Sequence, residues 1–347
     1  MNSPQAIANA LGNEFRERLL AWYDAHARDL PWRKDRDPYR VWVSEIMLQQ
    51  TRVAAVIEHY HAFLKRFPTV QKLAAAREAS VLCVWSGLGY YRRARMLHAA
   101  AKVIVRERMG KFPETAEEWR SLPGVGRYTA AAIASIALGD PTAVVDGNVE
   151  RVLQRLMGRH LSGEEFWTSA ENLLDRKRPG DFNQAMMELG ATVCTPRAPA
   201  CLTCPVVELC QARGELASDY QAKKQNKREI NYALHRRDGQ VFLVQRPLDA
   251  RLMAGMWELP EIGLPTSAKR EIARSPRSHK PNGGTRTLLF SVRHSITVTD
   301  YTVRIWHCPP PDTCSGEWVA VRRLSKIPLT GLARKVLRKA EVLSRSV

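Results

Sequence analysis

The hydropathy of this 347-residue chain changes period once, and that change restricts it to a helical domain followed by a smaller sheet-bearing one. Up to about residue 215, apolar residues recur at three and four positions in "FRERLLAWYDAHA", "VWVSEIMLQQTRVAAVIEHYHAFLKRF", "RRARMLHAAAKVIVRE" and "NVERVLQRLMG". That is the spacing of helices that bury one face. Proline and glycine clusters at Pro31, Pro38, Gly87 to Gly89, Pro123 to Gly126 and Gly139 to Pro141 punctuate the helices. Beyond Ile230, "INYALHRR", "QVFLVQRP", "HSITVTDYTVRIWHC" and "GEWVAVRRL" alternate or run β-branched, as strands do. "LTGLARKVLRKAEVL" then closes the chain as an amphipathic helix. The pattern predicts a mainly α domain over 1–215, a basic linker over 216–229 and a smaller α+β domain over 230–347. Within the last, "SAKREIARSPRSHKPNGGTR" reads as a basic loop, and there is no internal repeat.

The formal charge is +18. Such a surface attracts polyanions, nucleic acid first and anionic membrane second. No apolar run approaches the length of a membrane span, and the first twelve residues lack a charged start followed by an apolar core. A cytoplasmic protein is expected, nucleoid-associated if bacterial, with no membrane partner.

Four of the seven cysteines crowd into "CTPRAPACLTCPVVELC", at Cys194, Cys201, Cys204 and Cys210. In a cytoplasmic chain this crowding argues against disulfides and for a metal site. The C-x6-C-x2-C-x5-C spacing offers only one tight pair, whereas zinc sites usually offer two. Four thiolates on one irregular loop suit a [4Fe–4S] cube, which takes one cysteine per iron. Structural zinc is the competing reading.

A second constellation lies in "LPGVGRYTAAAI", where Gly124 and Gly126 bracket Val125 between two helical runs. Glycines admit positive φ and close approach of a ligand. The unpaired N–H groups opening the second helix, with its dipole behind them, form a phosphate clamp that needs no side chain. A tight helix–helix turn whose glycines serve packing only is the plainer alternative.

These stretches carry a family resemblance. "LPGVGRYTA" with downstream "VVDGNVERVLQR" resembles the helix-hairpin-helix DNA glycosylases. The cysteine loop, 194–210, is similar to the [4Fe–4S] loop of the endonuclease III and MutY branches. "LPWRKDRDPYRVWVSEIMLQQTRV" and "GLGYYRRAR" resemble the MutY branch specifically, and the part after Ile230 resembles its MutT-like (Nudix-like) domain. The resemblance implies a six-helix barrel module plus a cluster module. The implied activity is removal of adenine mispaired with 8-oxoguanine or guanine in double-stranded DNA, which starts base excision repair. A monomer is expected.

Breaking an N-glycosidic bond needs a proton for the departing base and an anion beside an oxocarbenium-like sugar. Glu45 sits on an apolar helical run, where a carboxyl tends toward a raised pKa. Asp146, in "VVDGN", stands where an ordinary N-cap aspartate would also stand. The resemblance implies that Glu45 is the acid and Asp146 the carboxylate facing the sugar cation. It places Tyr128 where bifunctional relatives of the endonuclease III type carry a nucleophilic lysine. A phenol forms no Schiff base, which implies base removal without a strong lyase step. Tyr128 and Asn148 are expected to help place Asp146 or the attacking water. By the same resemblance, Trp32, Arg33, Leu48 and Glu188 line the adenine pocket. Gln50 and Tyr90 wedge into the base stack, and Thr51 and Leu88 meet the opposite base. The Phe-Ser-His of the family's second domain is altered here, leaving His294 as its histidine and Arg293 in place of serine. "GLPTSAKREIAR" lacks the glutamate cluster that holds Mg²⁺ in hydrolytic MutT relatives, which implies binding rather than hydrolysis.

Other readings are an endonuclease III-type pyrimidine-lesion glycosylase and lyase, a catalytically silent iron–sulfur DNA-binding protein, and a nucleotide pyrophosphatase. Tyr128 and the second domain disfavour the first. The presence of both Glu45 and Asp146 disfavours the second, and the missing metal motif the third.

Overall fold

The computed structural model describes residues 4–216, 226–250, 252–263, 286–296, 299–309 and 314–343, with side chains from residue 12 onward. Most of the expected linker and nearly all of the basic loop after Ser267 lie outside these residues, as does most of "GLPTSAKREIAR". The chain divides into two units, residues 1–75 with 96–219, and residues 76–95 with 220–347.

In the first unit the helices are α1 (Pro4–His26), α2 (Pro38–Leu48), α3 (Val53–Arg66) and α4 (Val70–Ala74). After α5 (Glu78–Trp85), which belongs to the second unit, come α6 (Arg92–Glu107), α7 (Ala116–Arg120), α8 (Arg127–Ile133), α9 (Gly147–Met157), α10 (Glu164–Leu173) and α11 (Pro179–Thr192). Their starts are written in the sequence. Asp37 caps α2 by accepting from Arg40 N, with Pro38 at the first helical position. Thr69 and Thr115 cap α4 and α7 in the same way. A left-handed Gly158 (φ 63°) ends α9. Helix α8 is the exception, opening on Gly126 with no side-chain cap and continuing into a π turn at Ala134–Leu138. Its first N–H groups therefore remain available to a ligand. Phe15, Leu19, Val149, Leu153, Phe182 and Leu189 form one core, where α1, α9 and α11 pack together. Helix α2 packs on α8, burying every residue from Tyr39 to Met47 except Arg40.

In the second unit, β1 (Asn226–Ala233) runs parallel to β6 (Thr299–His307), which pairs antiparallel with β5 (Thr287–Ile296). A second sheet joins β2 (Arg236–Arg237), β3 (Gln240–Gln245), β4 (Trp257–Glu258) and β7 (Glu317–Ala320), with β3 central. Helix α12 (Gly331–Lys339), capped by Thr330, buries Ala333, Val336 and Leu337 against Val292, Val303, Ile305 and Val241. Strand β1 begins at Asn226, within the stretch expected as linker, because backbone pairing with β6 extends the strand over polar residues. Residues 76–95 join this unit through Ser86 Oγ and Tyr91 OH, which donate to Leu329 O at 2.9 and 3.3 Å.

Candidate active site

Glu45 lies on the buried face of α2 at 5% exposure. Burial pushes its carboxyl up to about 7, against the opposing pull of a Tyr128 hydrogen bond, and the Asp146 charge pushes the same way as burial. Tyr128, one residue into α8, donates to Glu45 Oε2 at 2.8 Å and also approaches Met187 Sδ. Its phenol is raised well above the usual range, first by burial and then by the Glu45 and Asp146 charges. Tyr128 and Asn148 are the residues expected to help place Asp146 or the attacking water. The phenol engages Glu45, and the side-chain amide of Asn148 engages Asp146.

Asp146 caps α9. Its Oδ1 accepts from Asn148 N (2.9 Å) and Val149 N (2.8 Å), and its Oδ2 accepts from Asn148 Nδ2 (2.8 Å). Three N–H donors and the positive end of a helix thus hold the carboxylate. Asn148 Oδ1 in turn accepts from Arg151, which also donates to Gly190 O and to Cys194 O. A Cβ on Gly190 would stand 2.6 Å from Asn148 Cβ, so a glycine is required where α11 passes the start of α9.

These groups face a cavity of about 390 Å³, lined also by Trp32, Arg33, Leu48, Gln50, Thr51 and Glu188. Trp32 is only 7% exposed and meets Tyr60 edge-on. Glu188, at 1% exposure, is the cavity's second buried carboxylate. Burial works against its charge, but the hydrogen bonds and the charges of Arg28 and Arg33 together outweigh burial and hold its carboxyl below the usual range. Arg28 binds it through Nε (2.6 Å) and a second guanidinium nitrogen (2.8 Å), and Arg33 adds a bond at 2.9 Å. Sequence reasoning missed Arg28, and also Gln49, Gln184 and Met187, which line the same cavity. The 3.6-residue spacing of Gln184, Met187, Glu188 and Ala191 on one face of α11 was the available signal. A planar aromatic beside an Arg–Glu–Arg cluster can hold a flat heterocycle by its face and its polar edge.

The hairpin residues Gly124 to Gly126 lie outside this cavity. Gly124 (φ 74°) packs so closely on α6 that a Cβ would come within 2.3 Å of Met96 Cβ, and Val125 is buried. Gly126 has open space around its Cβ position. Gln50 and Tyr90 both adopt left-handed backbone (φ 54° and 46°), and both side chains are exposed. Tyr90 and Leu88 belong to the second unit, where Leu88 is buried at 6% exposure. His294 sits within β5 opposite Tyr301, and burial together with Lys335 lowers its pKa. The exposed Arg293 lends its carbonyl to Lys335 Nζ.

Cys194, Cys201, Cys204 and Cys210 follow α11 on a loop of short helical turns at Cys201–Thr203 and Val207–Leu209. All four are half-buried. Burial raises the Cys204 thiol, and each of the other three adds to that shift, so the four sulfurs lie within electrostatic reach of one another. Arg155, at 6% exposure, donates to Cys194 Sγ at 3.3 Å and to Thr195 O and Pro196 O. Among the described residues, no three His, Cys, Asp or Glu side chains converge as ligands of a single ion. Four thiols spread around a loop match a group that takes one thiolate at each of four irons.

Residues 43–166 match the family described as HhH-GPD superfamily base excision DNA repair protein, and residues 231–339 match the NUDIX domain. The chain is 53% identical over 214 residues to an adenine DNA glycosylase of Homo sapiens, covering 57% of this chain and 39% of that one. It is 42% identical over 320 residues to an adenine DNA glycosylase of Mus musculus, covering 74% and 62%. It therefore spans less than two thirds of the length of these relatives. Among solved structures, a thermostable thymine-DNA glycosylase superposes with a TM-score of 0.56 at 30% identity, over 59% of this chain and 97% of that one. The hairpin, the paired carboxylates and the second domain agree with these likenesses: the chain belongs to the HhH-GPD superfamily of base excision DNA repair proteins and carries a NUDIX domain beside it.

Proposed function

We propose that this protein excises adenine mispaired with 8-oxoguanine or guanine in duplex DNA, as a monofunctional glycosylase. The observation that carries the reading is the pairing of Glu45 with Asp146 on one cavity. The first carboxyl is buried with a pKa of about 7, and the second is held by three N–H donors at the start of α9. Glu45 donates its proton to a ring nitrogen of the flipped adenine, and the electrons of the breaking C1′–N9 bond leave with the base. Asp146 faces the sugar cation; water adds at C1′ through an oxygen lone pair and gives its proton to the Glu45 carboxylate left by the first step, which restores the acid. The Glu188–Arg28–Arg33 cluster reads the polar edge of the purine, with Trp32 and Leu48 beside its face. Tyr128 supplies no amine to attack the sugar, which favours hydrolysis over a lyase reaction.

Duplex DNA is the partner that the charge of +18 and the uncapped start of α8 favour. Cys194, Cys201, Cys204 and Cys210 would hold a [4Fe–4S] cluster, which when bound crosslinks the loop and fixes its surface. The second unit, with His294 and Arg293 at the end of β5, would read the base opposite adenine. The test is adenine release from duplexes with adenine opposite 8-oxoguanine, guanine or thymine. Release confined to the first two supports the reading. Release of an oxidised pyrimidine instead would favour the endonuclease III alternative.

A further inference from the structure

The segment that delivers Asp146 to the cavity has no regular secondary structure from Gly139 to Asp146, yet Ala143, Val144 and Val145 are 1%, 1% and 7% exposed. Buried backbone groups outside a ladder need other partners. One side chain meets two backbone groups of this segment. Asn183, on α11 and 2% exposed, accepts from Val144 N at 3.1 Å through Oδ1. Its Nδ2 donates to Thr142 O and to Ser135 Oγ, both at 2.9 Å. Glu171 Oε1 takes the neighbouring Ala143 N at 2.7 Å. Close packing seats the same corner, since a Cβ on Gly180 would stand 2.5 Å from Ser135 O.

Asn183 occupies a particular place on its helix. The residues that follow it at 184, 187, 188 and 191 line the cavity. The face that reads the base and the arm that carries the sugar-facing carboxylate are therefore joined through one amide. Three of its four hydrogen-bonding directions are used, both N–H groups among them, so the amide specifies one register for the arm. A displacement of an ångström at a charge-stabilising group is costly to catalysis.

We infer that Asn183 is a positioning residue: it sets the place of Asp146 relative to the adenine-binding face of α11, without itself touching substrate. This rests on the glycosylase reading. Asn183→Ala removes both halves of the clamp. Asn183→Asp keeps the acceptor for Val144 N and replaces the donor with a carboxylate oxygen facing Thr142 O.

The test measures three things on the full chain: single-turnover adenine release, the dissociation constant for a duplex carrying an uncleavable adenine analogue, and amide hydrogen exchange over 142–146. Asn183→Ala is expected to slow release at least tenfold, to leave the dissociation constant within twofold, and to speed exchange at Val144. On an Asp146→Asn background the same change should cost nothing further, because the group being positioned is already gone. Asn183→Asp should regain activity relative to wild type as pH falls, when the new carboxylic acid can donate to Thr142 O. Wild-type release by Asn183→Ala, an equal loss on the Asp146→Asn background, or unchanged exchange at Val144 each overturn the inference. A wild-type protein that releases no adenine overturns the glycosylase reading instead, and the exchange measurement still decides the structural claim.

Discussion

The phenol of Tyr128 stands 2.8 Å from Glu45 Oε2 and donates to it, so the phenol bears directly on the titration of the Glu45 carboxyl. The donated bond favours the carboxylate and opposes the burial that raises Glu45 to about 7. If Glu45 supplies the proton, adenine release falls as pH rises through about 7. Tyr128→Phe removes the bond that favours the charged form, so Glu45 should stay protonated to higher pH. A pH–rate profile checks this: the alkaline limb of Tyr128→Phe should lie above that of wild type, and a shift the other way would refute the pairing.

The same burial has a cost in stability. Glu45 has a folded pKa above its unfolded value, so its contribution is present below pH 4–5 and is lost as pH rises through about 7. The lost contribution is on the order of 3 kcal/mol. Glu45→Gln should therefore be more stable than wild type at pH 8, with a smaller difference at pH 5, while losing most adenine release. Thermal melts at the two pH values read the first effect. A lower melting temperature at pH 8 would show that the charge is satisfied after all.

Asp146→Asn separates charge from geometry. Asparagine caps helices as well as aspartate does, so the bonds to Asn148 N and Val149 N survive and stability should change by less than about 1 kcal/mol. Release should fall by orders of magnitude, because the anion facing the sugar is gone. Wild-type turnover by this variant would remove Asp146 from the chemistry.

The two glycines of the hairpin should respond differently to a methyl group. At Gly124 a Cβ meets Met96 Cβ at 2.3 Å on left-handed backbone, so Gly124→Ala should destabilise by about 2–4 kcal/mol. At Gly126, φ is −88° and nothing lies within 4 Å. Gly126→Ala should fold with stability changed by less than about 1 kcal/mol, yet bind duplex more weakly if that open space receives a phosphate. Equal duplex affinity would show that no phosphate sits against Gly126.

Much of this site is local in sequence and so was legible there. The apolar run around Glu45, the P-G-x-G turn before Tyr128 and the cap position of Asp146 are each readable within a dozen residues. Arg28 was not legible, because it earns its place through Glu188, 160 residues away, and nothing around "RDLPW" announces an ion pair. The fate of residues 76–95 was hidden for a similar reason: Ser86 and Tyr91 bond to a carbonyl more than 230 residues further on. Strand β1 likewise begins on polar residues, because its partner β6 rather than its own pattern defines its start.

The cysteine loop makes a further prediction. Replacing Cys194, Cys201, Cys204 or Cys210 by serine should lower bound iron and sulfide and weaken duplex binding. Cys83→Ser should leave iron unchanged, since Cys83 instead donates to Ser325 O in the second unit. Elemental analysis of protein purified without air decides: stoichiometric zinc with no sulfide would replace the cluster by a zinc site.

Tyr128→Lys asks whether reaction type can be changed at one position. The phenol oxygen of Tyr128 lies beside Glu45 rather than Asp146, so a lysine amine there would first meet the Glu45 carboxyl. A cation at that place lowers the Glu45 pKa and leaves less of the acid form at neutral pH. The variant should therefore release adenine more slowly, with its alkaline limb moved to lower pH. The amine that does lose its proton can attack C1′ of the sugar and displace adenine; opening of the C1′–O4′ bond, with the amine proton passing to O4′, then gives an imine that borohydride reduces to a stable protein–DNA adduct. Wild type should leave the strand largely intact until alkali is added and give little adduct. Tyr128→Lys should give adduct and strand cleavage that rise with pH as excision falls. Strong cleavage and trapping by wild type would overturn the monofunctional reading.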